Sequence, residues 1–256
     1  MKVRCALLGT CSAIAILATS AVHAEDGYDA PADWPSPVEE HLMWGVLVDR
    51  FEYVVPDKGD EALVWDFTAW YGGDINRVYL KGEGENIQGD GESAEFESLD
   101  LLYSRLIADF WELQGGGGYQ GGIGTNDHPQ RYFGVISLLG LAPFMFEVDA
   151  SLRVSDDGDV SADVEAEYDL RLTQRLYLQP RMEVAVAASE VEEFGVGKGL
   201  NSVNVGLRLG YEITRKFAPY IGAFWEKQYG DTANLARVRG DATEDTGVVA
   251  GVRLMF

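Results

Sequence analysis

The residues of this sequence that could best bind ions are carboxylates spaced two apart, in segments where every other residue is apolar. This spacing puts them on one face of a β-strand, because successive side chains of a strand point to opposite faces. An interior lined by such faces attracts cations when acidic groups outnumber basic ones. The acidic path predicted for this interior consists of Glu83, Glu147, Asp149, Glu165, Glu167 and Asp169. The alternative is a salt-bridge lattice that satisfies a wet interior without any transport.

A catalytic set is not evident in the sequence. Beyond residue 24 the only histidines are His41 and His128, and no serine and histidine fall together on neighbouring predicted strands. His128 stands beside Pro129 in a segment predicted to be a solvated loop. The glycine run Gly115–Gly118 is no phosphate loop, because it does not lie between a strand and a helix; it predicts a bend or a close approach within a strand wall. We expect no enzyme, no catalytic residue and no cofactor-binding residue.

The first 24 residues have the features of a cleaved signal peptide. Lys2 and Arg4 precede an apolar run, and Val22-His23-Ala24 offers a processing site. Both cysteines lie in this segment, so the mature chain is expected to have no disulfide and no thiolate metal ligand. Residues 25–40 are rich in Pro, Asp and Glu and are predicted to form a flexible periplasmic tail. The domain that follows is predicted to cover residues 41–256.

Composition narrows the class of that domain. The net charge of −22 argues against nucleic acid as a partner and suits cationic partners. No later segment has the ~20 consecutive apolar residues of a transmembrane helix. Instead, segments such as 144–154 alternate cleanly, with Phe146 and Val148 on one face and Met145, Glu147 and Asp149 on the other. Export, alternation and the absence of a helical span together predict a membrane β-barrel.

The connections between the alternating segments support this prediction. About twelve strands are predicted, with ten or fourteen as the alternatives, and short turns alternate with longer polar loops. This is the pattern of a transmembrane, antiparallel, up-and-down β-barrel in the cell outer membrane, with lipid around it. An even strand count would place both termini in the periplasm. The last strand ends on Phe256, which is similar to the terminal aromatic of barrels assembled in that membrane. The predicted strands are 42–54, 62–72, 75–85, 92–105, 109–120, 131–140, 144–154, 160–172, 175–188, 201–214, 217–229 and 244–256.

Several ordered motifs resemble the copper resistance protein B family. One of them reads Trp-Tyr-Gly-Gly-Asp-Ile-Asn-Arg at residues 70–77. The resemblance implies an outer-membrane component of a copper-resistance system, with copper ions as the bound or transported species. It also implies that the protein acts together with periplasmic copper-handling proteins such as a multicopper oxidase. The resemblance covers about residues 41–256, and its other motifs are Asp49–Tyr53, Trp65–Asp66, Leu80–Glu85, Leu102–Arg105, Gly140–Pro143, Phe146–Asp149, Glu165–Leu176, Gln179–Arg181, Gly206–Glu212, Phe217–Gly222 and Glu244–Thr246.

The family's members commonly carry a Met/His-rich segment before the barrel, and this chain departs from that pattern. Residues 25–40 contain no methionine and no histidine. Thioether and imidazole groups suit Cu(I) and Cu(II), and three such groups are expected near the periplasmic mouth: His41, Met43 and Met145. They form a candidate copper site, with ordinary packing of both methionines as the alternative.

Two functions follow from this sequence. The first is a copper-resistance protein that binds copper ions or passes them across the outer membrane. The second is a non-enzymatic structural barrel, or a narrow cation-selective pore, without specific copper chemistry.

Overall fold

The computed structural model describes residues 41–87, 94–122 and 129–256, which are mostly β-strands. The alternating segments form strands because a period of two keeps one whole face in an apolar environment. In chain order the strands are β1 (Met43–Pro56), β2 (Ala62–Gly72), β3 (Asn76–Ile87), β4 (Ala94–Ala108), β5 (Trp111–Gly122), β6 (Arg131–Ala142), β7 (Phe146–Ser155), β8 (Val160–Glu167), β9 (Leu170–Arg171), β10 (Leu176–Ala187), β11 (Gly199–Tyr211), β12 (Phe217–Gln228) and β13 (Glu244–Met255).

The strands form one closed antiparallel sheet. Neighbours along the chain pair with each other, and β1 pairs with β13 to close the ring. The segments β8 and β9 both pair with β10, so together they make a single barrel strand. The barrel therefore has twelve strand positions. This confirms the predicted all-β, up-and-down architecture of about twelve strands.

The two ends of the barrel differ in their connections. We call the end that carries the first residue of β1 and the last residue of β13 the terminal end. It has the short connections 73–75, 109–110, 143–145, 172–175 and 212–216. The opposite end is the loop end, and its two longest described connections are residues 188–198 and 229–243. The two longest described connections therefore lie at the loop end, as predicted, whereas the loop-end connections 57–61 and 156–159 are no longer than the terminal-end connections 212–216 and 172–175.

The outward face of the barrel is apolar and the inward face is charged. On β10, Met182 is 47% exposed whereas its neighbour Arg181 is 4% exposed. Leu101, Ile136 and Ile221 are likewise exposed on other strands. An apolar exterior on a strand wall with a polar interior is the arrangement that lipid requires of a barrel.

The interior is filled near the middle of the strands. On the side of β3 to β6, the buried side chains of Tyr79, Leu102, Phe133 and Val135 form an apolar cluster. Polar and charged side chains fill the other side. Gly118 of β5 leaves room for the carboxylate of Asp100, because a Cβ at this glycine would collide with it. The prediction that the glycine run allows close approach agrees with this contact.

Strand β7 begins at Phe146, later than the sequence predicts. The preceding residues Pro143–Met145 form a 3-10 turn in which Phe144 and Met145 have φ values of 69° and 67°. A left-handed backbone cannot continue a strand. The expectation that Met145 points inward from a strand is therefore wrong: it lies in this turn and is 66% exposed.

Residues 230–243 were predicted to be a polar loop but contain a helix, α1 (Gly230–Arg239). Thr232, Ala233 and Ala236 are its buried residues. The helix has no continuous apolar stripe, so tertiary contacts rather than local sequence stabilise it. Gly240, at φ 92°, ends it. No helix in the described ranges is long and apolar enough to cross a membrane.

Residues 188–198, which we call the strap, connect β10 to β11 at the loop end. The amide of Gly197 donates to Thr232 Oγ1 of α1 at 2.9 Å. The Phe194 ring lies 4.0 Å from the guanidinium carbon of Arg131, which belongs to β6. The strap therefore reaches past β8 and β7 to the wall at β6.

Candidate functional site

A cavity of about 780 Å³ lies at the loop end, and we call it the vestibule. Residues of the loop-end connections, including Lys58 and Asp241, form its rim. Below the rim its wall carries carboxylates from five strands. These are Glu52 of β1, Glu83 and Glu85 of β3, Glu97 of β4, Glu183 of β10 and Glu226 of β12.

Strand geometry explains how these carboxylates come together. Glu83 and Glu85 are two residues apart, so they share one face of β3. Glu97 lies at a β-bulge, because β3 pairs with Phe96 and Ser98 at consecutive positions and leaves Glu97 between them. A bulge re-aims the side chain of its extra residue.

Three of the six carboxylates are paired with arginine. Arg50 forms an ion pair with Glu83, Arg181 Nη2 lies 3.1 Å from Glu183 Oε2, and Arg208 Nη2 lies 2.7 Å from Glu52 Oε1. The described residues provide no ion-pair partner for the remaining three, which are Glu85, Glu97 and Glu226. The vestibule therefore has a net negative wall, and a wall of one sign concentrates counter-ions of the other.

Three arginines lie at the bottom of the vestibule, and we call Arg50, Arg181 and Arg208 the arginine belt. Their exposed fractions are 6%, 4% and 5%. Arg50 Nη2 donates to Asp66 Oδ2 at 2.9 Å and also contacts Glu83. The belt therefore consists of buried guanidinium groups that are held by carboxylates of neighbouring strands.

The other two belt arginines are held in the same way. Arg208 donates to both carboxylate oxygens of Glu52, at 3.0 and 2.7 Å, in the bidentate geometry that arginine favours. The Tyr220 hydroxyl donates to the same carboxylate at 3.0 Å. Arg181 forms ion pairs with Glu165 and with Glu183.

A second, smaller cavity of about 210 Å³ lies beside the strap, and Val191 and Val196 of the strap line it. Glu83, Glu97 and Glu183 line both this cavity and the vestibule. The smaller cavity also holds Arg153, which pairs with Asp100 at 3.0 Å and with Asp163. The three shared carboxylates therefore form the wall between the two cavities.

The predicted acidic path is present as inward-facing charges, but most of it is paired and lies outside the vestibule. Asp149 accepts from Lys81 and from Ser137, the latter at 2.7 Å. Glu165 pairs with Arg181. Only Glu83 of the six lines the vestibule.

The rest of the predicted path lies towards the terminal end. Glu167 accepts from Gln179 at 3.0 Å, and Asp169 lies 3.1 Å from Arg253. Glu147 stands opposite Glu167 in the pairing of β7 with β8. The six carboxylates are thus distributed along the barrel rather than gathered at one point.

The structure separates the three residues of the predicted rim copper site. His41 and Met43 lie at the start of β1, and Met145 lies in the turn before β7. These strands are six positions apart in a ring of twelve, so they stand on opposite sides of the terminal end. His41 and Met43 are exposed, and Met43 is 50% exposed. The structure does not bring Met145 next to the other two residues.

The chemistry of the described residues favours diffuse attraction of cations over a fixed ligand shell. Within the described ranges, no group of three or more His, Cys, Asp or Glu side chains is arranged to hold a metal ion. His128 lies outside the described residues. The vestibule therefore offers charge and oxygen atoms rather than a preformed coordination polyhedron.

The interior of the barrel also holds charged residues that the predicted acidic path does not include. Asp49 pairs with Arg253 at 2.7 Å, and Arg50 pairs with Asp66. Adjacent residues point into the same interior because β1 has a bulge between Val48 and Arg50. Strict alternation cannot reveal such a bulge. Alternation could have predicted that Glu85 faces inward, because it is two residues from Glu83 on the same strand. It could not have predicted this for Glu97, because Glu97 lies at the bulge in β4.

A closed antiparallel barrel with an apolar exterior and a charged interior belongs to the class of membrane β-barrel proteins. A family model described as "Copper resistance protein B precursor (CopB)" matches residues 42–256. The chain therefore belongs to the copper resistance protein B family, as the sequence motifs predict. This membership supports a role in copper resistance.

Two curated relatives and two solved structures are similar to this chain. Copper resistance protein B of Escherichia coli is 36% identical over 213 residues, which are 82% of this chain and 69% of that protein. The copper resistance protein B homolog of Pseudomonas syringae pv. tomato is 36% identical over 210 residues, with the same two coverages. The KdgM porin structure has a TM-score of 0.48 and 11% identity, and covers 83% of this chain and 99% of its own. The NanC porin has a TM-score of 0.49 and 13% identity, with the same coverages.

Proposed function

We propose that this barrel lies in the outer membrane, is not an enzyme, and serves copper resistance by collecting copper ions in the vestibule and passing them across the membrane. The observation that carries the proposal is a set of carboxylates, Glu85, Glu97 and Glu226, that have no ion-pair partner among the described residues and lie on the wall of a cavity in a copper resistance protein B chain. Periplasmic copper-handling proteins, such as a multicopper oxidase, are its predicted partners.

The apolar exterior and the twelve-strand closure support the membrane location, because a barrel with no free edge satisfies its backbone hydrogen bonds within lipid. With the predicted signal peptide, the location is the outer membrane and the two termini are periplasmic. The vestibule would then open to the outside of the cell, since the loop end is opposite to the termini.

The lining of the vestibule supports divalent copper as the collected ion. Its described lining residues include no histidine, methionine or cysteine, and its acidic groups supply oxygen atoms only. Soft thioether and thiolate ligands select Cu(I), whereas a carboxylate wall attracts a doubly charged cation more strongly than a singly charged one. We therefore expect weak, fast capture of Cu²⁺.

A complementation experiment tests this function. A strain that lacks the gene receives either the wild-type chain or the triple variant E85Q/E97Q/E226Q, and its copper tolerance and cell copper content are measured. We expect the triple variant to restore neither. A matched control, D156N/D157N/E193Q, removes three exposed acidic groups from loop-end connections and is expected to restore both. Full restoration by the vestibule variant would refute the proposal.

A further inference from the structure

We propose that the arginine belt is the gate of the barrel: it blocks the lumen below the vestibule, and a cation passes when it displaces a belt arginine from Glu83 or Glu183. This inference rests on the proposed function, because it assigns the controlling residues of the same path.

The position of the belt is the first observation. On each of β1, β10 and β11, the arginine is the vestibule-lining residue farthest from the loop end. On β10, for example, Glu183 lies between Arg181 and the loop end, and on β11 Ser202 and Asn204 lie between Arg208 and the loop end. A cation that enters from the loop end therefore meets carboxylates first and guanidinium groups at the bottom.

The packing of the belt is the second observation. Its three arginines and Glu52 are each exposed by 6% or less, so their side chains occupy the cross-section instead of leaving a water column around them. The ion pairs of the belt join residues of six strands, namely β1, β2, β3, β8, β10 and β11. The belt with its partners thus draws on half of the twelve strand positions. Its guanidinium groups are all ion-paired, so the belt blocks a cation by filling the lumen, and a cation passes only by competing for one of these carboxylates.

The carboxylates of Glu83 and Glu183 connect the vestibule to the belt. Each lines the vestibule and also pairs with a belt arginine, Glu83 with Arg50 and Glu183 with Arg181. Each carboxylate therefore has one side towards an entering cation and the other towards the gate. A divalent cation competes with a guanidinium for such a carboxylate better than a monovalent cation does, because its Coulomb attraction is twice as large.

Acidic side chains are also present on the terminal side of the belt. Arg253 is shared by Asp49 and Asp169, and Glu167 accepts from Gln179 and stands opposite Glu147. A cation that passes the belt therefore meets carboxylates again on the terminal side. The belt, whose arginines are all ion-paired, therefore lies between the acidic vestibule and a second acidic region.

Ion conductance of the full-length protein in planar bilayers tests the gate. We expect low conductance for the wild type in CuCl₂ and in KCl at matched ionic strength. Arg181→Met should raise the cation conductance by about tenfold, at the lower end of the effect that a charged cleft has on local ion concentration. The control is Arg171→Met, because Arg171 is a terminal-end arginine, 52% exposed at its side chain, and paired with Glu212. Equal conductance of Arg181→Met and the wild type would overturn the gate.

A charge-neutral variant covers the case in which Arg181→Met does not fold. The double variant R181M/E165Q removes both members of one ion pair, and its folding is checked by the mobility shift of unheated barrels on denaturing gels. A folded double variant that conducts no better than the wild type would also overturn the gate. Cu²⁺ binding, measured on the same samples by equilibrium dialysis, separates the two proposals. If the wild type binds Cu²⁺ but no belt variant conducts, only the gate fails; if the wild type does not bind Cu²⁺, the proposed function fails.

Discussion

The ion pair between Arg208 and Glu52 gives the sharpest stability prediction. Both side chains are buried, with exposed fractions of 5% and 3%, and two charged hydrogen bonds of 3.0 and 2.7 Å join them. Arg208→Met would leave the Glu52 carboxylate buried with the Tyr220 hydroxyl as its remaining hydrogen-bond donor. Removal of one partner of a buried ion pair lowers the free energy of unfolding by about 3–5 kcal/mol. We expect a loss in this range.

The assay is urea unfolding of the barrel from lipid vesicles, followed by tryptophan fluorescence, with the midpoint and slope measured for each variant. The double variant E52Q/R208M removes both charges, so it should lose less stability than R208M alone. Tyr220→Phe removes one hydrogen bond to a charged group and should cost about 1.5–3 kcal/mol. A loss of unfolding free energy below about 1 kcal/mol for R208M would refute the buried-pair reasoning. So would a loss for E52Q/R208M that equals the sum of the losses for E52Q and R208M measured singly.

Three further predictions concern the wall, the strap and the rim. Gly116→Ala should destabilise the barrel by about 1–3 kcal/mol, because its Cβ would collide with a backbone carbonyl of β4, whereas Gly117→Ala has room and should unfold at a urea midpoint close to that of the wild type. Phe194→Ala should release the strap from β6 and speed its cleavage by added protease, and a cleavage rate equal to that of the wild type would contradict this contact. Lys227→Ala breaks a rim ion pair with Glu244 of 2.9 Å, and its urea midpoint should stay close to that of the wild type, because such exposed pairs contribute little to stability.

The strands were predictable from the sequence because their signal is local. A period of two, broken by turn residues, sets each strand, and the antiparallel pairing of neighbours along the chain then follows from short connections. The start of β7 was missed because it depends on the left-handed backbone of Phe144 and Met145 after Pro143. Helix α1 was missed because its stability comes from packing against the barrel and the strap.

The interior charges were predictable in kind but not in arrangement. Alternation predicted that Glu83 and Glu165 face inward, since this depends only on parity. It could not show that Glu165 is paired with Arg181. Such pairings join strands that are distant in sequence, and they depend on how the closed ring aligns its strands. Bulges in β1 and β4 then shifted the parity locally and brought Asp49 and Glu97 into the interior.

Binding of Cu²⁺ to the purified full-length barrel in vesicles tests the central proposal most directly. Equilibrium dialysis would compare the wild type with E85Q/E97Q/E226Q and with the control D156N/D157N/E193Q. We predict that the vestibule variant binds Cu²⁺ about tenfold more weakly than the wild type, because the wall loses three carboxylates that no described arginine or lysine pairs with. The control should bind as the wild type does. Equal binding by the wild type and the vestibule variant would contradict the proposal that this cavity collects copper.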